Sequence, residues 1–392
     1  MSHKYPFFPP ALILLLACLS GTVWYLYGSQ ESTPFVHKVR SAEQPVKMKQ
    51  CCECHEKVCH QFSGAPHLRT LRKANDPDVL DKFVGKEVTL KENGHTYRFY
   101  KEGDALWVTC DSYPNPVRID WIFGSGLHAL TPVSLFPNAE GKSELLQHIV
   151  SWYPPGKLGI TLGLEALAHG KSGIRALGDV SSHAKTMDCF ECHTSYLGEV
   201  QGEIQTSQLI AGVSCVRCHL NGEAHIKAVE KGEKDLKLTR WNQLSPLESI
   251  NGCGECHRRS DQLEADEIHP KNDLLIRFAP ISLSQSPCFL KQDELKLPAG
   301  KSSRFDCTTC HNPHQQASRD PEHYRQICLN CHRDLKGHAP VCSQEAMDSQ
   351  CLKCHMPAVN VHDNLSFTDH WIRIREFDDK RFPPLKYKSP QP

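Results

Sequence analysis

From Phe7 to Tyr27 the chain is almost wholly apolar and carries no charge. Its densest part is Ala11 to Leu19, followed by Val23, Trp24, Tyr25, Leu26 and Tyr27. A run of about 20 such residues is long enough to cross a bilayer as one helix. Trp24, Tyr25 and Tyr27 fall where an interfacial aromatic belt sits. No A-x-A site follows the run, so an uncleaved membrane anchor over 1–30 is the expectation, with export after signal cleavage as the alternative. Lys4 alone precedes the run, whereas Lys38, Arg40, Lys47 and Lys49 follow it. Flanking charge therefore leaves the orientation open.

Further along, the period shortens to two. Val88-Thr-Leu90, Tyr97-Arg-Phe99 and Leu106-Trp-Val108 are separated by Asn93-Gly94 and Gly103-Asp104. Apolar alternation broken by Asn-Gly predicts a small antiparallel β meander. Gly124-Ser-Gly126-Leu127-His128 reads as a loop whose glycines permit close approach to a cofactor edge. Glu144 to Val150 reads as a short helix, and Trp152-Tyr-Pro-Pro-Gly156 as a breaker. Residues 228–250 are charged and read as an exposed helix followed by a loop. The tail from Arg373 to Pro392 is basic and Pro-rich and reads as an extended arm.

The 392 residues hold 45 Lys and Arg against 45 Asp and Glu, a net charge of zero. That balance gives no electrostatic case for nucleic acid or anionic lipid. The counts that change the picture are 20 Cys and 23 His. CxxC occurs seven times, each time with His next: Cys51-x-x-Cys54-His55, Cys189-x-x-Cys192-His193, Cys215-x-x-Cys218-His219, Cys253-x-x-Cys256-His257, Cys307-x-x-Cys310-His311, Cys328-x-x-Cys331-His332 and Cys351-x-x-Cys354-His355. C-x-x-C-H is the c-type haem attachment signature. Two thiols at this spacing reach both vinyl groups of one porphyrin, and the adjoining imidazole falls beneath the iron. A zinc site built from CxxC pairs does not require His after the second Cys. Chance placement of His would give seven out of seven with odds on the order of 10⁻⁹. Seven covalently bound c-type haems, with their iron, are the expected cofactors. Their attachment is extracytoplasmic, which orients the expected anchor N-in, C-out and puts the body on the periplasmic side of the inner membrane.

Seven irons call for seven more ligands if all are six-coordinate. Five Met are too few, whereas 16 His remain outside the motifs. Bis-histidine ligation and low potentials are therefore expected. The residues singled out as distal ligands are His67, His183, His225, His314, His338 and His370. His314 follows His311 too closely to reach the opposite face of the same iron, so it is expected to serve a neighbour. His128, His169, His323 and His362 stay open, and His3 and His37 are not expected to ligate.

One motif stands alone and six lie within 189–355, at roughly 28 residues per haem, too little chain for a conventional core. The expected fold is mainly α, with extensive loops wrapped around stacked haems, a small β meander in the insert and one N-terminal membrane helix. The expected divisions are an anchor (1–30), a linker (31–50), the first motif with its long insert (51–188), a six-haem domain (189–370) and the tail (371–392). Cys18, Cys52, Cys59, Cys110, Cys288 and Cys342 lie outside the motifs. One or two disulfides are compatible with an oxidising compartment, and their pairing is open.

The stretches Cys51 to His67, Gly212-Val-Ser-Cys-Val-Arg-Cys-His219 with His225, Cys307 to His314, and Cys351 to Pro357 with Asp369-His370 carry a resemblance. Over roughly 50–370 the chain resembles the multihaem c-type cytochromes related to hydroxylamine oxidoreductase and its tetrahaem electron-acceptor cytochrome. That resemblance implies stacked and perpendicular haem pairs, with His67, His225, His314 and His370 as distal ligands. Two departures remove any implied activity: no Tyr is identifiable as the cross-link to a catalytic haem, and no CxxCK motif exists.

The leading expectation is electron transfer between a membrane quinol-linked donor and a periplasmic acceptor protein. The alternative is an oxidoreductase acting on a small nitrogen or sulfur compound, which needs one iron with an open sixth position. The isolated first motif is the natural candidate for that position. No paired carboxylate or other catalytic cluster declares itself.

Overall fold

The strands Thr96–Glu102 and Ala105–Cys110 bury alternate side chains, so that Tyr97, Phe99, Leu106, Val108 and Cys110 are all buried. They belong to a four-stranded antiparallel sheet that also contains Glu87–Thr89 and Tyr113–Ile119. The computed structural model describes residues 45–374 apart from 168, 170, 171, 239, 296–301 and 333–350. A second, five-stranded antiparallel sheet runs Leu71–Lys73, Trp121–Phe123, Thr131–Pro137, Ser143–His148, Gly178–Ser181.

The described residues carry seventeen strands in six sheets, and their longest helices have twelve residues. The expectation of a mainly α fold is thus overturned: the chain is α+β. Alternating apolar residues in the insert pair into two full sheets, while helix is confined to short pieces, several of which end on a CxxCH motif. The segment 144–150 is strand where a helix was expected. Leu145 and Leu146 are adjacent and both fully buried, because each face of this sheet has something packed on it. The charged stretch after residue 228 also differs: its helix starts earlier and is Gly222–Glu230. The expected membrane helix lies outside the described residues, and no described helix is long and apolar enough to cross a membrane.

One face of the five-stranded sheet closes a core with the four-stranded sheet. Val79, Phe83, Phe99, Leu106, Ile122, Leu130, Leu146 and Trp152 meet there. The Tyr97 hydroxyl crosses this core to donate to Ala176 O at 2.8 Å. The opposite face, carrying Leu71, Trp121, Phe123, Val133 and Leu145, packs on Met187 and Phe190 of the helix His183–His193. Each fully buried aromatic or aliphatic side chain contributes about 1.5–3 kcal/mol. The second CxxCH motif is thereby bolted to a rigid sheet. C-terminal to residue 211 the side-chain core thins out among the described residues, where one cluster joins Ile276 and Val359 with Val361 and Phe367.

Gly124 and Gly126 do occupy a loop, with φ of +100° and +88°. A Cβ at Gly124 would lie 2.3 Å from Ala129 O, so this glycine serves the chain's own turn.

Candidate functional site

Helix termination sets up the motifs. Ser182 caps the helix His183–His193, and Ser245 with Glu248 forms a capping box ahead of Pro246–His257. Each of these helices ends on its motif, as does Pro321–His332. Residues three apart on a helix share a face, so both thiols of a motif point the same way with His at the helix end. Cys215–Cys218 and Cys307–Cys310 are single turns, the latter capped by Asp306, which accepts from Thr308 N at 2.8 Å.

Four motif histidines stand opposite a second imidazole drawn from elsewhere in the chain. His55 faces His225 with ring centres 6.3 Å apart, and His257 faces His67 at 6.4 Å. His219 faces His314 at 6.1 Å, and His311 faces His370 at 6.3 Å. Two imidazoles each about 2.0 Å from one metal put their ring centres roughly 6.3 Å apart. Among the described residues no three His, Cys, Asp or Glu side chains converge on one point. The imidazoles come in twos, which suits a metal whose remaining four ligands belong to a porphyrin.

In several of these histidines the other ring nitrogen is hydrogen-bonded. Nδ1 of His193 donates to Thr70 O at 2.7 Å, that of His225 to Leu236 O at 2.8 Å, and that of His370 to Thr368 O at 2.9 Å. His355 Nδ1 donates to Arg373 O at 3.1 Å, and His314 Nδ1 to Asn312 Oδ1 at 3.1 Å. His67 is hydrogen-bonded to the backbone of Pro313. Fixing the proton on Nδ1 leaves Nε2 with its lone pair, the arrangement that metal-ligating histidines adopt. Burial also holds His67, His193, His257, His311, His332 and His370 below the ordinary histidine value. His257 is pushed down to about 4, with His67, His193 and His370 adding to the effect of burial. Neutral imidazole is the ligating form. These residues fit a haem iron.

The thiols show which motifs adjoin. Cys51 lies beside Cys215, Cys192 beside Cys256, Cys253 beside Cys307, and Cys328 beside Cys351. The first motif thus touches the third, the second touches the fourth, the fourth touches the fifth, and the sixth touches the seventh. Arg217, 5% exposed, stands inside the third motif; its Nη2 donates to Glu191 O at 3.0 Å in the second and to Cys256 Sγ at 3.9 Å in the fourth. Sequence reasoning missed Arg217, because nothing in a variable CxxC position announces burial. It also missed Thr70, whose role is played by its carbonyl.

Among the described residues no imidazole stands opposite His193, whose ring lies against Phe123 at 4.5 Å. The first motif, the candidate for an open position under the alternative reading, has His225 with its ring centre 6.3 Å from that of His55. His183 has its Nδ1 on Ser143 O at 3.0 Å, and His338 lies outside the described residues. His128 packs on Phe367, His362 on Tyr153 and His323 on Tyr324, while His169 is exposed. Cys52 and Cys59 form a disulfide, Cys110 and Cys288 are free thiols, and Cys342 lies outside the described residues.

Residues 166–220, which contain the second and third motifs, match the family described as cytochrome c554 and c-prime. A match to a c-type cytochrome family supports covalently bound c-type haem. No curated protein and no solved structure matches the chain.

Proposed function

We propose that the chain is a heptahaem c-type cytochrome that passes electrons between a membrane quinol-linked donor and a periplasmic acceptor protein. A bound haem supplies one-electron redox chemistry. The observation that carries the reading is the set of four imidazole pairs at 6.1–6.4 Å. In each pair a motif histidine meets one from a different stretch of chain. His55 with His225, His257 with His67, His219 with His314, and His311 with His370 would hold four irons between two imidazoles. Two neutral nitrogen ligands and no Met favour low potentials. Contacts between cysteines of different motifs support close approach of neighbouring groups, as hopping requires. His193, His332 and His355 supply proximal nitrogens for three more. Because thioether formation takes place outside the cytoplasm, the periplasmic face is the proposed location.

A second reading is favoured by one observation. His193 is oriented by Thr70 O and has no opposite imidazole among the described residues. The second motif, carried on the sheet domain, would then offer an open position to a small nitrogen or sulfur compound. Mass spectrometry of the purified protein with low-temperature EPR of its oxidised form decides. Seven haems, all low-spin, support the wire. A high-spin signal lost on adding nitrite or hydroxylamine favours the second reading, and a count below seven overturns the heptahaem assignment.

A further inference from the structure

Buried polar groups in folded proteins are nearly always hydrogen-bonded, so an exception calls for an explanation. Arg72 is such an exception. It stands on the strand Leu71–Lys73 and is 9% exposed. Its Nη1 donates to Asp78 Oδ2 at 2.6 Å. Its Nε and Nη2 are buried and have no partner. These two nitrogens form the side-on edge of the guanidinium, whose two parallel N–H groups match the two oxygens of a carboxylate.

The surroundings connect this edge to the second motif. Thr70, two residues before Arg72, accepts from His193 Nδ1 at 2.7 Å and from Gly124 N at 2.8 Å. Phe123, paired with Leu71, lies against the His193 ring. The loop that leaves Phe123 then brings Gly126 over the guanidinium: a Cβ there would sit 3.8 Å from Nη2. Glycine at φ +88° keeps that approach open. A cleft of about 540 Å³ lined by Leu68, Arg69, Arg72, Asp76 and Asp78 borders the same strand. Asp78 is already answered by Lys82 as well as by Arg72, so it does not consume the free edge.

We propose that the Nε/Nη2 edge of Arg72 is a receptor for a carboxylate-like anion beside the second motif. This rests on the haem reading of that motif. The anion has two sources of one chemistry: a propionate of the porphyrin attached at Cys189 and Cys192, or a free planar oxyanion such as nitrite or acetate. Neutralising a propionate stabilises the reduced iron, so loss of the cation lowers the potential.

The test compares holoprotein with Arg72, Arg72→Lys and Arg72→Leu, the first substitution keeping a cation without the fork. Peptide masses first establish whether Cys189 and Cys192 carry haem; if they do not, the haem reading itself fails. With haem present, the propionate source predicts that Arg72→Leu shifts one haem about tenfold toward the oxidised form at fixed ambient potential, equal to about 59 mV. Arg72→Lys recovers part of the shift, and acetate changes nothing in the unsubstituted protein. The free-anion source predicts calorimetric binding of acetate that Arg72→Leu abolishes, with potentials unchanged when the anion is absent. Unchanged potentials together with no anion binding by the unsubstituted protein overturn the proposal.

Discussion

The imidazole of His314 lies 6.1 Å from that of His219, centre to centre, and only 7° from parallel to it. The two residues are joined by 95 positions of chain, and His314 stands three residues past the motif histidine His311. One short segment thus presents imidazoles to two different partners, His314 to His219 and His311 to His370. Replacing His314 with Ala should convert one low-spin haem to high-spin in the EPR spectrum while the haem mass stays the same. Replacing it with Met should keep that haem low-spin and raise its potential, since a thioether ligand favours the reduced iron. Unchanged spectra in both variants would remove His314 from the ligand set.

Arg217 places a positive charge against Cys256 Sγ and ties the third motif to the backbone of the second. A buried cation disfavours the oxidised iron nearby. Arg217→Met should lower the potentials of the adjoining haems, with Arg217→Lys intermediate. Loss of its charged hydrogen bond should cost about 1.5–3 kcal/mol of stability. Potentiometry and chemical denaturation measure the two effects separately.

Phe190 sits between the two cysteines of the second motif and is fully buried against the sheet. Phe190→Ala should destabilise the chain by about 3–5 kcal/mol. Its spectral consequences should be confined to the haem at that motif. A Tm equal to that of the unsubstituted protein would show that the helix does not depend on the sheet.

His148 belongs to the five-stranded sheet and is buried. Its Nε2 is 2.8 Å from Ser134 Oγ, and burial pushes its pKa down to about 3. A folded-state value below the unfolded one means that the unfolded chain takes up the proton first. The contribution is fully present above the ordinary histidine value and is lost as pH falls toward 3. The slope is about 1.4 kcal/mol per pH unit across that window. His148→Gln should flatten the fall of Tm between pH 6 and 4, and an unaltered slope would assign acid sensitivity to other groups.

The CxxCH motifs were legible because covalent chemistry fixes their spacing locally, whatever the tertiary fold. Which imidazole faces which was not legible: His225 opposite His55, and His67 opposite His257, depend on how distant segments return. The sheet domain was underestimated for a related reason. Alternation at 97–99 and 106–108 declared strands, but Leu145-Leu146 breaks alternation because both faces of that strand are covered. A doubly buried strand reads like a helix turn. Thr70 was invisible because its contribution is a backbone carbonyl, which every residue type possesses.

The disulfide Cys52–Cys59 brackets Cys54, within a residue of Cys51. Closing so short a loop should add about 2–3 kcal/mol. Cys52→Ser with Cys59→Ser should lower stability by that amount and leave haem on Cys51 and Cys54. Peptide mapping without reduction should recover 52 and 59 joined.

The four imidazole pairs join residues 59 to 190 positions apart, and their spans interleave: 55 to 225 overlaps 67 to 257, which overlaps 219 to 314. A metal gripped at both ends of such spans is a cross-link, and the entropy it removes from the open chain grows with the length enclosed. Crossed ties cannot slacken one at a time. Stripping a single metal should therefore loosen segments far from its own motif, and protease sensitivity should spread across the C-terminal half together, not in steps along the chain.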